Sequence, residues 1–227
     1  MKLLAIDAAT EACSVALSLD GEICERHAIR PRGHAQLLLP MVDQVLAEAG
    51  ISLKALDALA FDRGPGSFTG VRIGTSVTQG LAFGLDLPVI PVSSLAAIAQ
   101  GIWQDTGATQ VLSVIDARMA EVYWGHYAFE NGIMLLQGME HVSKANDITP
   151  DISADWYGAG SGFQAYEASL RTCINAQCTG IDADRLPYAS AILPLATDAF
   201  GKQQFVSAEQ ALPCYLRNEV ARKQSGL

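Results

Sequence analysis

The sequence predicts an α/β protein of two lobes, each a mixed sheet with helices, related by internal duplication. Residues 1–105 read as three strands followed by alternating helices and strands. The run at 111–117 repeats the pattern of residues 3–8, and each run is followed by a polar turn and an alternating strand. With 227 residues, half of them hydrophobic, the chain can bury a sizeable core. We therefore predict an N-terminal lobe at 1–105 and a C-terminal lobe at 106–227.

The N-terminal lobe opens with an antiparallel meander. Residues 3–6 are continuously apolar, as in a central strand, and residues 13–19 alternate between apolar and polar positions. Asp20 and Gly21 are a strong hairpin signal, so residues 22–29 are predicted to form the third strand.

Helices and strands alternate through the rest of this lobe. Residues 34–49 carry one apolar stripe and stop at Gly50, which predicts an amphipathic helix. A buried strand at 58–61 leads into a glycine-rich turn and a second helix. A strand over 87–92, placed near an edge by its prolines, and a helix over 94–99 complete the lobe.

The second lobe starts with strands over 111–117 and 122–129 and a hairpin signal at Asn131 and Gly132. Later signals are weaker. We predict a strand ending at Tyr157, helices over 163–171 and 189–200, and extended chain at 212–216, and the final helix can return to the first lobe.

The amino-acid composition argues against some classes of function. The net charge of -9 argues against a stand-alone binder of DNA or RNA, because phosphate contacts need clustered cations. Arg217, Arg222 and Lys223 form the only basic cluster, which is read as a solvated tail or as an RNA contact within a larger assembly. Five scattered cysteines predict a reducing, cytoplasmic location. No apolar run approaches the ~18 residues of a membrane helix.

The glycine-rich turn at 63–70 and the helix after it are the most unusual stretch. From Ile73 to Leu85 no residue is charged, and small residues recur at helical spacing. The lysine of a phosphate-binding P-loop is absent, so we do not predict nucleotide binding by that mechanism. A helix without charges is expected to be buried all round, and its glycines predict that another backbone lies close.

Other candidate sites are weaker. Asp7 and Asp116 end equivalent strands and could hold a nucleotide-bound magnesium ion between the lobes, but no glycine-rich phosphate hairpin follows either. Residues 158–162 could cradle a phosphate and are more simply a tight turn between a strand and a helix. No pair of histidines has the helical spacing of a metal site. We predict no cofactor of the chain's own.

Residues 6–17, 63–74 and 115–123 together closely resemble the TsaB (YeaZ) family, and residues 213–218 extend the resemblance. It implies two lobes of the actin and heat-shock-70 ATPase type. It also implies a role in installing the threonylcarbamoyl group on the tRNA adenosine beside the anticodon.

Comparison with the catalytic paralogue TsaD points to an accessory role. The two metal-binding histidines of TsaD-like proteins correspond to Ser94 and Ile98, and isoleucine cannot bind a metal. The resemblance therefore implies a non-catalytic subunit that binds and activates TsaD. A metallopeptidase or an ATP-dependent enzyme of the same superfamily stays open as the alternative.

In the family, the helices resembling 34–49 and 69–85 pair with TsaD in a four-helix bundle. The resemblance also implies the TsaE ATPase as a third component, a homodimer when TsaD is absent, and contact with tRNA only through the complex. It leaves open whether a nucleotide lodges at the interface. The residues predicted to form the interface are Leu38, Met41, Val45, Gly70, Val71, Gly74, Val77, Thr78 and Leu81.

Overall fold

In the computed structural model, which describes residues 1–30 and 33–217, the strands form two five-stranded sheets, one within residues 2–92 and one within residues 110–182. The first sheet has the strand order β3-β2-β1-β4-β5, in which β1, β4 and β5 are parallel and β2 and β3 are antiparallel. Its strands are β1 (Lys2–Asp7), β2 (Ala12–Leu19), β3 (Glu22–Ile29), β4 (Ala58–Asp62) and β5 (Val89–Val92).

The second sheet has the equivalent order, β8-β7-β6-β9-β10, with the same pattern of parallel and antiparallel pairs. The predicted duplication is thereby confirmed, and the topology is that of the actin and heat-shock-70 ATPase type. Its strands are β6 (Gln110–Arg118), β7 (Glu121–Glu130), β8 (Ile133–Lys144), β9 (Trp156–Ala159) and β10 (Cys178–Asp182). The sequence analysis did not predict β10, and it predicted β8 only through its hairpin signal.

Helices cover both faces of the first sheet. On one face α1 (His34–Ala49) and α2 (Phe68–Leu85) pack against Leu4, Ile6 and other side chains of β1, β2 and β4. On the opposite face α5 (Ala189–Gly201) packs against Leu3, Ala5 and other side chains of β1, β2, β4 and β5. The chain therefore returns to the first lobe at its last described helix.

The second sheet is likewise covered by α3 (Ser94–Thr106) and α4 (Gly162–Thr172). Leu95, Ile98 and Ile102 of α3 pack against β6 and β7, and α3 also contacts α5. The helix α3 thus contacts both lobes, because Ala97 packs in an apolar cluster with α5 and the first sheet while the opposite side of α3 packs on the second sheet. Within the described residues, none of the helices combines the length and the apolarity needed to cross a membrane.

The return of α5 is fixed by side chains of the first sheet. The residue before this helix, Tyr188, provides no capping hydrogen bond. Instead the Ser14 hydroxyl oxygen accepts from the Ala189 amide at 2.9 Å, and a Glu25 carboxylate oxygen accepts from the Ser190 amide at 2.9 Å. Two otherwise unsatisfied amides are bonded in this way, and a negative charge lies at the positive end of the helix.

The prediction that the charge-free helix is buried all round is wrong. One side of α2 packs on the sheet, while Phe68 and Phe83 are 62% and 73% exposed. The close backbone at Gly66 and Gly70 belongs to the same chain, because a Cβ there would lie within 3.0 Å of the carbonyl oxygens of Ala9 and Ala8. At Gly80 and Gly84 a Cβ would meet nothing within 4 Å. Glycine is therefore required by intramolecular packing only at the beginning of α2.

Alanine substitutions at Gly70 and Gly80 of α2 should change the free energy of unfolding in opposite directions. Gly80→Ala should raise the free energy of unfolding by about 0.5 to 1 kcal/mol, because alanine favours the helix and meets no neighbour. Gly70→Ala should lower it by about 2 kcal/mol or more, because the new Cβ collides with a backbone oxygen. Urea unfolding of the monomeric chain measures both values. Neutral behaviour of Gly70→Ala would show that α2 does not press on the turn between β1 and β2.

Candidate functional site

Two buried carboxyl groups lie where the first sheet meets the interlobe cleft. Asp7 and Asp62 end the neighbouring parallel strands β1 and β4 and are 0% and 1% exposed. One oxygen of Asp62 accepts from the Gly64 amide at 2.7 Å and from the Ser94 hydroxyl at 2.6 Å. One oxygen of Asp7 accepts from the Ala9 amide at 3.0 Å. The two aspartates are therefore held by the turns that follow their strands.

From the pKa values of the two carboxyl groups we infer that the pair shares a proton. Burial, and then the charge of Asp62, raise the pKa of Asp7 well above its usual value of 3.8. Burial also raises the pKa of Asp62 to about 6, and hydrogen bonds from Asp7, Ser94 and Gly64 oppose that increase. The second oxygen of Asp62 has no hydrogen-bond partner among the described residues, and a proton retained by Asp7 would supply the missing donor.

The positions that correspond to the paralogue's histidines belong to this packed region. Ser94 is fully buried and donates its hydroxyl to Asp62, while Ile98 is 1% exposed and packs in the apolar core. No group of three or more His, Cys, Asp or Glu side chains within residues 1–30 and 33–217 could hold a metal ion. The arrangement offers hydrogen bonds between protein groups rather than open ligand positions.

Asp7 and Asp116, which the sequence left as a weak candidate for a magnesium site, make different contacts. Asp7 lies beside Asp62, whereas Asp116 accepts from the backbone amide of Arg118 at 2.9 Å and from its guanidinium at 3.1 Å. The two carboxylates therefore make separate local contacts. The Ser161 hydroxyl, in the predicted tight turn at 158–162, accepts no capping hydrogen bond from its own helix and accepts instead from the Asp116 amide at 3.1 Å.

The choice of interface side chains on α1 and α2 requires correction. Leu38, Val45 and Thr78 are 0% exposed, so these side chains cannot contact a partner in this conformation. The apolar positions that the sequence indicates on α1 and α2 face the chain's own sheet. The other predicted residues divide into the buried Met41, Gly70, Val71 and Gly74 and the half-buried Val77 and Leu81.

A different face of α2 is open. Five exposed, uncharged residues lie on one side of this helix, and we call them the α2 stripe: Thr69, Ser76, Gly80, Phe83 and Gly84. Leu39 of the neighbouring α1 is 48% exposed. Four of the five residues of the α2 stripe are small, and one is a large aromatic. The stripe is therefore an uncharged surface on which a second helix can approach closely.

Sequence reasoning missed an aromatic cluster at the beginning of α2. The Arg72 guanidinium lies 3.2 Å from the centre of the Phe68 ring and 5.1 Å from that of Tyr215. Tyr215 is brought there by the last described segment, whose Cys214 amide donates to the carbonyl oxygen of Arg63 at 2.8 Å. The contact joins residues about 150 positions apart, so no local pattern could have indicated it.

The same segment places the first residue of the predicted basic cluster. Arg217 donates to the Ala117 carbonyl oxygen at 3.1 Å and pairs with Glu121. It therefore ties the end of the chain to the turn between β6 and β7, and its charge is already paired. Arg222 and Lys223 lie outside the described residues.

The shared proton predicts an inverse dependence of stability on pH. An acid with a raised pKa in the fold stabilises the fold below its unfolded pKa, and that stability is lost as pH rises through the folded pKa. For Asp62 this loss falls between pH 3.8 and about 6, and for Asp7 it continues above. Asp7→Asn keeps the hydrogen-bond donor without the charge. As pH rises to about 8, this variant should therefore lose roughly 1 to 3 kcal/mol less free energy of unfolding than the native chain.

Urea unfolding across pH measures the effect, with Asp43→Asn, an exposed carboxylate on α1, as the matched control. The control should follow the native chain. An Asp7→Asn chain that keeps the native pH slope, or is strongly destabilised at every pH, would contradict the shared proton.

Comparisons with known proteins agree on one family. The family model described as "TsaD: tRNA N6-adenosine threonylcarbamoyltransferase" matches residues 28–185. The chain is similar to "tRNA threonylcarbamoyladenosine biosynthesis protein TsaB" of Escherichia coli K12, with 46% identity over 99% of this chain and 98% of the relative. The protein of the same name in Haemophilus influenzae is 41% identical over 99% and 97% of the two chains.

Among solved structures, "YeaZ from Pseudomonas aeruginosa" matches with a TM-score of 0.89 and 48% identity, over 95% of this chain and 99% of that one. The agreement extends across both lobes. The chain therefore belongs to the TsaB (YeaZ) family of tRNA threonylcarbamoyladenosine biosynthesis proteins.

Proposed function

We propose that this chain is a non-catalytic subunit that binds and activates TsaD, the enzyme that attaches the threonylcarbamoyl group to the tRNA adenosine beside the anticodon. The names of the relatives support the pathway. The observation that carries the subunit role is the α2 stripe, an exposed helical face without charge.

The stripe has the chemistry of a helix-docking surface. Gly80 and Gly84 leave open space above the helix backbone, and Phe83 projects an apolar side chain that is 73% exposed. In the isolated chain the glycines cost about 1 kcal/mol each relative to alanine, without any packing benefit inside the chain. Two partner helices lying on the stripe and beside Leu39 of α1 would bury this surface and complete a four-helix bundle.

The lack of catalysis is supported by the region around Asp62. The Ser94 hydroxyl already donates to Asp62, and the Ile98 side chain packs in the apolar core. A metal-dependent reaction there would need open ligands, and these two positions offer none. No observation favours the metallopeptidase or the ATP-dependent enzyme.

The rest of the proposed assembly follows from the same assignment. We propose that TsaE is a third component, that tRNA reaches this chain only through the complex, and that the α2 stripe pairs with a second copy when TsaD is absent. The protein would act in the cytoplasm, and any nucleotide would lie at an interface with a partner rather than in a site of this chain alone.

A charge in the middle of the α2 stripe tests the proposal. Val77→Glu is a poor variant because Val77 is half-buried against the chain's own core, so Gly80→Glu is used instead. It should weaken binding to TsaD more than about 100-fold, because a carboxylate would be buried without a partner. The isolated chain should remain folded, because nothing lies within 4 Å of that position.

The matched control is Gly201→Glu, which changes an exposed helical glycine with equally open space at the end of α5, on the opposite face of the sheet. Co-purification and titration with TsaD measure the difference. Binding that survives Gly80→Glu, or fails equally with Gly201→Glu, would refute docking on the α2 stripe.

A further inference from the structure

A cavity of about 190 Å³ lies between the lobes, where the edge strands β5 and β8 approach each other. The beginning of α3, one residue of β7 and the later part of α5 also line it. Its walls are largely aliphatic, with Ile90, Met134 and Leu195 among them. Its polar groups are contributed by both lobes: Arg63 and Ser93 from the first, and Tyr127 and Glu140 from the second.

Arg63 brings a positive charge to this cavity, and no counter-ion for it is found among residues 1–30 and 33–217. Its backbone is held on both sides, because its amide donates to Val92 at 2.8 Å and its carbonyl oxygen accepts from Cys214 at 2.8 Å. Its Nε is shielded from solvent and has no hydrogen-bond partner. No carboxylate of the described chain lies within 4.0 Å of its guanidinium. A buried donor in this state is costly unless something else binds it.

Glu140 brings a negative charge to the same cavity. One of its carboxylate oxygens accepts from the Tyr127 hydroxyl at 2.6 Å. Burial, and then the charge of Glu140, raise the pKa of Tyr127 well above its usual value, so this hydroxyl stays a donor. The described residues place no cation within 4.0 Å of Glu140. A guanidinium and a carboxylate thus line one cavity without pairing with each other.

We propose that this cavity binds a small zwitterion of the α-amino acid class. The ligand carboxylate would accept from the Arg63 guanidinium, whose planar donor groups match two oxygens, and the ligand ammonium would donate to Glu140. The aliphatic wall then accommodates a short side chain. A simple anion would pair with Arg63 but would be repelled by the negative charge of Glu140. A simple cation would pair with Glu140 but would be repelled by the positive charge of Arg63. The assignment does not depend on TsaD binding.

Calorimetric titration of the purified full-length chain tests it, with the common L-amino acids as probes, one at a time. At least one should bind with a dissociation constant of about 1 mM or tighter. Its analogues lacking either the amino or the carboxylate group, such as isovalerate and isobutylamine for L-valine, should bind at least about tenfold more weakly.

Arg63→Gln and Glu140→Gln should each weaken amino acid binding at least about tenfold. Arg118→Gln and Glu130→Gln change exposed residues outside the cavity and should bind as the native chain does. The thermal midpoint of each variant without ligand shows whether it remains folded.

Three results would each overturn the proposal. The first is that no amino acid binds the native chain. The second is that the deaminated analogue binds as tightly as the amino acid, which would make the cavity an anion site. The third is that a folded Glu140→Gln chain keeps full affinity.

Discussion

The packing of the beginning of α2 on the turn between β1 and β2 determines most of what this molecule presents to others. The Ser67 amide donates to the Ala9 carbonyl oxygen at 2.7 Å, and Gly66 and Gly70 remove the Cβ atoms that would prevent this approach. Because the turn and the helix meet at backbone distance, the ends of β1 and β4 are closed off from solvent. Asp7 and Asp62 are buried there, and the raised pKa of each carboxyl group supports the inferred shared proton.

The same packing sets the direction of α2 and so decides which of its faces stays open. The side of α2 that faces the sheet packs in the chain's own core. Its opposite side carries the uncharged α2 stripe. The two glycine pairs of one helix therefore have different origins. Gly66 and Gly70 serve intramolecular contact, whereas Gly80 and Gly84 have no intramolecular neighbour to explain them. The proposed binding of a partner would account for the second pair.

Much of the fold could be predicted from the sequence, because apolar runs, the hairpin signals and the repeated order of elements are local patterns. Helical periodicity correctly located α1 and α2 but misassigned their faces. An apolar stripe is the same in sequence whether it packs on the chain's own sheet or on a partner, so Leu38 and Val45 were assigned to the wrong surface. The Asp7–Asp62 pair, the cavity at Arg63 and the Tyr215 contact each join residues distant in sequence, so local reasoning could not find them.

The central claim is that this chain contributes to tRNA modification as a required partner and carries out no step of the reaction itself. The most direct measurement is threonylcarbamoyl transfer to tRNA in a reconstituted system with threonylcarbamoyl-adenylate, TsaD and TsaE, with this chain present or omitted. Omitting this chain should lower the rate of product formation at least about tenfold, and this chain alone should modify no tRNA. A rate that is indifferent to this chain, or transfer catalysed by the chain without TsaD, would contradict it.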